Sequence, residues 1–254
     1  MRREAFATPE PIRLDLTVPA GGILVETGDV AETSVELEPG AGAESVAAVE
    51  ETRVELRNGV LRVEVPEQHG FRIFSRGASV EVTVRCPHDS TLRVEAASAD
   101  VDAPGRFASA EISVASGDVH LGEVTGEVRI NSASGDVEIA RVAGNTKIRT
   151  ASGDVAVGEA GASIGIQTAS GDQRIGSVTA GEVTMRSASG DLRVGIRRGS
   201  GVWVDASSMS GDTTSDLDIG RAGAEQRDGP LVELRAQSMS GDIHVARAGA
   251  ELAR

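Results

Sequence analysis

The chain has no tyrosine, one tryptophan and four phenylalanines among its 254 residues. Rings therefore cannot fill its core, and the apolar 39% is mostly Val, Ile, Leu and Ala. Such a set suits a thin, regular interior with closely stacked layers. Sugar platforms, which need exposed rings, have almost nothing to be built from. The single cysteine, Cys86, excludes an internal disulfide and leaves the redox compartment open. Lys147 is the only lysine, and the arginines are scattered rather than clustered. With a net charge of −14 and no basic stripe, the chain repels phosphates, which argues against nucleic acid and anionic membrane surfaces. No apolar run is long enough for a membrane span. The opening MRREAFATPEPIRLDL places Glu4, Pro9 and Glu10 where a signal peptide needs an apolar core, so a cytoplasmic chain is expected.

What the chain does have is a repeat. Ser-Gly-Asp ends at Asp118, Asp136, Asp154, Asp172, Asp191, Asp212 and Asp242, and a degenerate Ser-Ala-Asp ends at Asp100. The gaps are 18, 18, 18, 18, 19, 21 and 30 residues, strict early and looser toward the C-terminus. Aligned on Asp, apolar residues form columns: Val119, Val137 and Val155, then Leu121, Ile139, Val157, Ile175 and Val194. The second half of each unit gives Ile130, Ile148, Ile166 and Met185, with polar residues of mixed type between. Each half alternates with period two and ends in a turn.

Two strand-and-turn halves make one coil, and stacking puts like residues above like residues. The expectation is an all-β chain: a parallel β-solenoid over 96–254, about 18 residues per coil, with a strand-rich region over 1–95 capping it. In that region IRLDLTV (12–18), VELRNGVLRVEV (54–65) and VEVTVRC (80–86) alternate as strands do. Asn58-Gly59 marks a hairpin, GAGAES (40–45) reads as a loop, and no segment there has a helical period. Gln173 and Thr213 occupy columns where Val, Leu or Ile is expected, and 213–231 reads as a loop. If Val202 and Val204 face inward, Trp203 faces out, either packing under that loop or forming part of a contact surface.

The Asp column is the sharpest candidate for chemistry. Stacking sets its carboxylates about 4.8 Å apart, so they must be solvated, hydrogen-bonded, partly protonated or occupied by cations. A structural corner satisfies this: Gly supplies a turn, and Ser and Asp bond backbone N–H groups freed from the ladder. Calcium would need six to eight oxygens, and one Asp per coil supplies too few for the calcium β-roll alternative. His69, His88, His120 and His244 show no ligand spacing, and Cys86 reads as a buried strand-end thiol. No catalytic residue and no cofactor are expected.

The repeated Ser-Ala-Ser-Gly-Asp-Val pattern, the strand-rich region from Ile12 and the SMSGD copies at 208–212 and 238–242 together resemble a known family. It is the bacterial β-strand-repeat domain of unknown function labelled "putative adhesin". The resemblance covers nearly the whole chain and implies a repeat architecture without catalytic residues. Some similar members are linked to envelope-stress responses and carry a membrane segment. The resemblance implies a binding scaffold that recognises a protein or a cell-envelope component. The alternative is a bactofilin-like rod assembling end to end through unpaired strand edges.

Overall fold

The computed structural model describes residues 1–66, 78–217 and 229–249, so His69 and residues 218–228 of the expected loop lie outside the described residues. The chain is all-β, a β-solenoid with almost no helix. It divides into two compact units, Met1–Thr125 with Ile130–Ser134, and Gly126–Arg129 with Gly135–Arg254.

In the first unit β1 (Arg2–Ala7), β2 (Arg13–Gly28) and β3 (Glu32–Pro39) lead to a helix, α1 (Ala43–Glu51). Then follow β4 (Arg53–Arg57), β5 (Val60–Glu64), β6 (Val80–Pro87), β7 (Ser90–Ser116) and β8 (Val119–Val124). The long β2 lies between parallel partners. Leu14 pairs with Leu61 of β5 on one side and Leu92 of β7 on the other, and Ile23 likewise with Val82 of β6 and Val101 of β7. All six side chains are buried, so the alternating apolar positions become continuous inward columns. Antiparallel strands close the other side of this layer: β4 on β5, β3 on β6, and β1 on β3. The β4–β5 turn is Asn58-Gly59, with positive φ at both residues, 51° and 74°.

The helix corrects the reading of 11–95 as free of helix. AESVAAVEE is a good helix former, and its Ala48 and Val49 are buried, but nine residues are too few to display a period. The loop expected at 40–45 is likewise cut short at Gly42, because Ala43 opens the helix. Ser45 fixes the helix start. Its hydroxyl donates to the Ala41 carbonyl at 3.1 Å and accepts the Ser79 N–H at 3.1 Å.

After β9 (Val128–Ser134), the second unit runs through β10 (Val137–Val142), β11 (Thr146–Ser152), β12 (Val155–Ala160), β13 (Ile164–Ser170) and β14 (Gln173–Val178). It ends with β15 (Gly181–Ser189), β16 (Leu192–Ile196), β17 (Gly201–Ser208), β18 (Thr213–Ser215), β19 (Leu231–Ser240) and β20 (Ile243–Arg247). Strands pair in parallel one repeat apart: Val137 with Val155, Val155 with Gln173, Gln173 with Leu192. Ile148 pairs with Ile166, and Ile166 with Met185. All of these residues are buried.

The stack then leaves chain order. β15 pairs with β19, not with β17, and β19 pairs on its far side with β17. Likewise β16 pairs with β20, and β20 with β18. The coil 231–247 thus lies between the coil 181–196 and the coil 201–215. Inward residues explain this order. Val232, Leu234, Ala236, Ile243 and Val245 are buried, whereas Val202, Val204 and Ala206 are half-buried and Thr213 and Ser215 exposed. The coil with an apolar inner set takes the place with neighbours on both sides. The coil with two polar residues, Thr213 and Ser215, among its inner positions takes the end.

Candidate contact face

The corners come first, because they hold the coils in register. Within the second unit the Gly153 N–H donates to the Ser170 carbonyl at 3.1 Å, and the Val155 N–H to the Asp172 carbonyl at 2.8 Å. Between them the Asp172 N–H donates to Oδ1 of Asp154 at 2.8 Å. The Asp column is therefore a chain of side-chain-to-backbone bonds between coils, each carboxylate accepting the N–H of the next Asp. It runs from Asp136 through Asp154, Asp172 and Asp191 to Asp242 and then Asp212, each bond 2.8 Å. In the first unit the Asp118 N–H donates to Oδ1 of Asp100 at 3.0 Å. Arg193 adds charge at the ladder, 3.0 Å from Asp191 and 3.7 Å from Asp172. Among the described residues no three His, Cys, Asp or Glu side chains are grouped to hold a metal ion.

The candidate contact face is built on β17 and β19. Alternation sends Trp203 outward on β17 and Leu231, Glu233, Arg235, Gln237 and Met239 outward on β19. Trp203 is 49% exposed and Leu231 53%. Met209 follows β17 opposite Met239, fixed there by bonds of 3.1 Å from the Met209 N–H to the Ser238 carbonyl and from the Ser210 N–H to the Met239 carbonyl. These two methionines are 81% and 60% exposed. Among the described residues six large apolar side chains are exposed, and four of them are Trp203, Met209, Leu231 and Met239.

Arg235 is central to this face. It sits across from Asp205 of β17 and Thr184 of β15, and its guanidinium pairs with Glu182. The same group lies 5.8 Å from the centroid of the Trp203 ring, within cation–π range. The outward Trp203 was expected from the alternation. The alternation does not point to the methionine pair or Leu231; the sequence signal for the pair is the change from Ala151, Ala169 and Ala188 to Met209 and Met239 in one corner column.

Two small clusters combine a hydroxyl, an imidazole and a carboxylate. In the second unit His244 Nδ1 is 2.9 Å from Thr214 Oγ1, and its Nε2 is 3.4 Å from Asp216. In the first, His88 Nδ1 is 2.8 Å from Thr27 Oγ1 and Nε2 is 4.0 Å from Asp29. The Thr27 hydroxyl also accepts the Arg106 N–H at 2.8 Å, so its own hydrogen is free to go to His88. Both carboxylates face solvent, and the clusters act as ties between neighbouring strands.

Comparison with known proteins adds a family. The family described as Toastrack DUF4097 matches residues 29–251. No curated protein matches in sequence. Among solved structures, a protein described as a putative adhesin from Bacteroides fragilis is 13% identical, with 96% of each chain covered and a TM-score of 0.43. One of the same description from Parabacteroides distasonis is 11% identical, again with 96% of each chain covered and a TM-score of 0.42. A putative cell adhesion protein from Clostridium sporogenes is 12% identical over 97% of this chain and 99% of its own, with a TM-score of 0.34. Among the described residues no helix is long and apolar enough to cross a membrane.

Proposed function

Since the chain belongs to the Toastrack DUF4097 family, whose domain has no assigned function, we propose that it is a non-enzymatic binding scaffold that recognises a protein through β17 and β19. The observation that carries this reading is that four of the six exposed large apolar side chains among the described residues lie along β17 and β19, Trp203 and Leu231 toward one end and Met209 with Met239 about 20 Å further along. Aromatic residues, methionine and arginine are the types enriched where proteins meet. A large apolar side chain costs free energy when left in water, and two exposed pairs along the same two strands favour being covered. The partner is a protein rather than a sugar, because one indole gives no row of stacking platforms. It is not an anionic surface, because the chain carries a net charge of −14.

The test is photo-crosslinking in the native cell from position 239, with position 147 as an outward control. A partner captured at 239, absent at 147 and lost when Trp203→Ala, Met209→Ala and Leu231→Ala are added to the crosslinking chain supports the proposal. Equal capture by that chain rejects it.

A second reading has one observation in its favour. Among the described residues β17 has a partner strand only on its β19 side, which leaves the opposite row of backbone groups for strand addition. End-to-end self-association would follow, and sedimentation at rising concentration separates it from a monomeric scaffold.

A further inference from the structure

Exchanging the last two coils would keep the number of coil-to-coil ladders, although β16, which pairs five residues with β20, would meet the three residues of β18. In the observed order the coil 231–247 touches the coils 181–196 and 201–215. In chain order the coil 201–215 would touch 181–196 and 231–247, giving the same number of coil-to-coil ladders. The corners permit either arrangement because they are identical: Ser208-Met209-Ser210-Gly211-Asp212 and Ser238-Met239-Ser240-Gly241-Asp242. Gly211 and Gly241 share the left-handed region, with φ of 153° and 138°. Asp191 Oδ1, which now accepts the Asp242 N–H at 2.8 Å, could accept that of Asp212 in the same register. Since Val202 and Gly181 both pair with Val232, direct pairing would set Val202 on Gly181, Val204 on Val183 and Ser208 on Ser187.

The inward side chains distinguish the two orders, as do the bonds from Arg247 to the Arg197 and Ser200 carbonyls, at 3.2 and 2.9 Å, and the longer pairing of β16 with β20. Ile243 and Val245 are fully buried where they stand, and Thr213 and Ser215 are exposed at the equivalent positions of the end coil. We propose that the two coils form a stacking-order switch, biased toward the observed order by these few residues and acting on the contact face. The observed order leaves Trp203 on the end coil, beside Arg235, with Arg235 paired to Glu182. The chain order would enclose Trp203 between Glu182 and Glu233 and move Arg235 away from Glu182, rebuilding the face that the partner meets. That consequence rests on the contact-face reading. The switch itself does not, and can be measured without a partner.

The experiment uses the full chain and two cysteine pairs at exposed positions. Neighbouring parallel strands, about 4.8 Å apart, fit the Cα separation of a disulfide, whereas two coils, about 9.6 Å, do not. Ala188→Cys with Met239→Cys can close only in the observed order, and Ala188→Cys with Met209→Cys only in the chain order. Under native, mildly oxidising conditions the 188–239 bond should form first. The 188–209 bond should form within single molecules, roughly ten- to a thousandfold more slowly, the span set by a minor state populated at about 0.1–10%. Exchanging the inward pairs (Thr213→Ile, Ser215→Val, Ile243→Thr, Val245→Ser) should invert the preference.

Absence of the 188–209 bond, its formation only between molecules, or its formation only where circular dichroism shows global unfolding would overturn the switch. So would a dominant 188–239 bond in a folded chain with exchanged inward pairs. If the exchanged chain does not fold, the two bonds in the otherwise natural chain still decide. A chain that switches but captures no partner leaves the switch standing and removes the contact-face reading.

Discussion

Oδ1 of Asp154 accepts the backbone N–H of Asp172 at 2.8 Å, one coil further along the stack. The recurring Asp thus links coils to each other rather than closing its own turn. An Asn side chain keeps an accepting oxygen and removes one charge from a column of like charges, so Asp154→Asn should be neutral or slightly stabilising. Asp154→Ala leaves the Asp172 N–H without that acceptor and should cost about 1–2 kcal/mol. Denaturant melts of the two variants check this, and equal losses would contradict it.

Gly153 should be the least replaceable residue of its corner. Its φ is 127°, and an added Cβ would collide with the Gly135 carbonyl. Because both the dihedral and the space are denied to any side chain, Gly153→Ala should cost about 3 kcal/mol or more. A melt within about 1 kcal/mol of the parent chain would show that the corner can open, against the strain expected there.

Facing should decide the cost of substitution on β11. Ile148 is fully buried and in register with Ile166, so Ile148→Ala should lose about 2–5 kcal/mol. Lys147, its outward neighbour, is exposed, and Lys147→Ala should change stability by less than about 0.5 kcal/mol. Chemical denaturation of both measures the difference.

Gln173 offers a stabilising change. It is fully buried in a column between Val155 and Leu192, and its Oε1 has no hydrogen-bond partner. The amide cannot be turned to cure this, because Nε2 already donates to the Arg186 carbonyl at 2.8 Å and to Thr168 Oγ1 at 2.9 Å. Thr168 has a second partner in Ser187 at 3.1 Å. Gln173→Leu should therefore gain about 1 kcal/mol, seen as a higher denaturation midpoint.

Alkaline pH should weaken the fold through Cys86. Burial pushes its thiol from the ordinary 9.0 up to about 11, with a smaller opposing contribution from a bond to Ser90. Between these values the unfolded chain has released the proton that the folded chain still holds. Stability is unaffected below pH 9 and falls as pH rises from 9 toward 11, by up to about 2–3 kcal/mol. Cys86→Ala should flatten that region of the profile.

The repeat was legible because one Asp per turn of the solenoid fixes which residues are equivalent. Val137, Val155 and Gln173 stack as their spacing predicts. Equivalence does not fix order, however. Two copies of SMSGD fit the same neighbour equally well, so position along the chain could not say which coil follows 181–196. The difference lay in the residues after each Asp, Thr213 and Ser215 against Ile243 and Val245. The helix at 43–51 was hidden for another reason, since its burial comes from packing and not from a long amphipathic pattern. Of the contact face Trp203 follows from the alternation and the change from Ala to Met at 209 and 239 is visible in the corner column, but the pairing of Met209 with Met239 follows from the coil order.

The inserted coil also has a mechanical meaning. A pull on β20 draws on a coil held by ladders on both sides, β15 and β16 against one face and β17 and β18 against the other. Peeling an end coil breaks one ladder, bond after bond, whereas extracting this one must break both of its ladders at once. Tension applied through residue 249 would therefore meet twice the row of bonds that tension applied to the coil 201–215 meets. The segment later in the chain is the harder one to tear away.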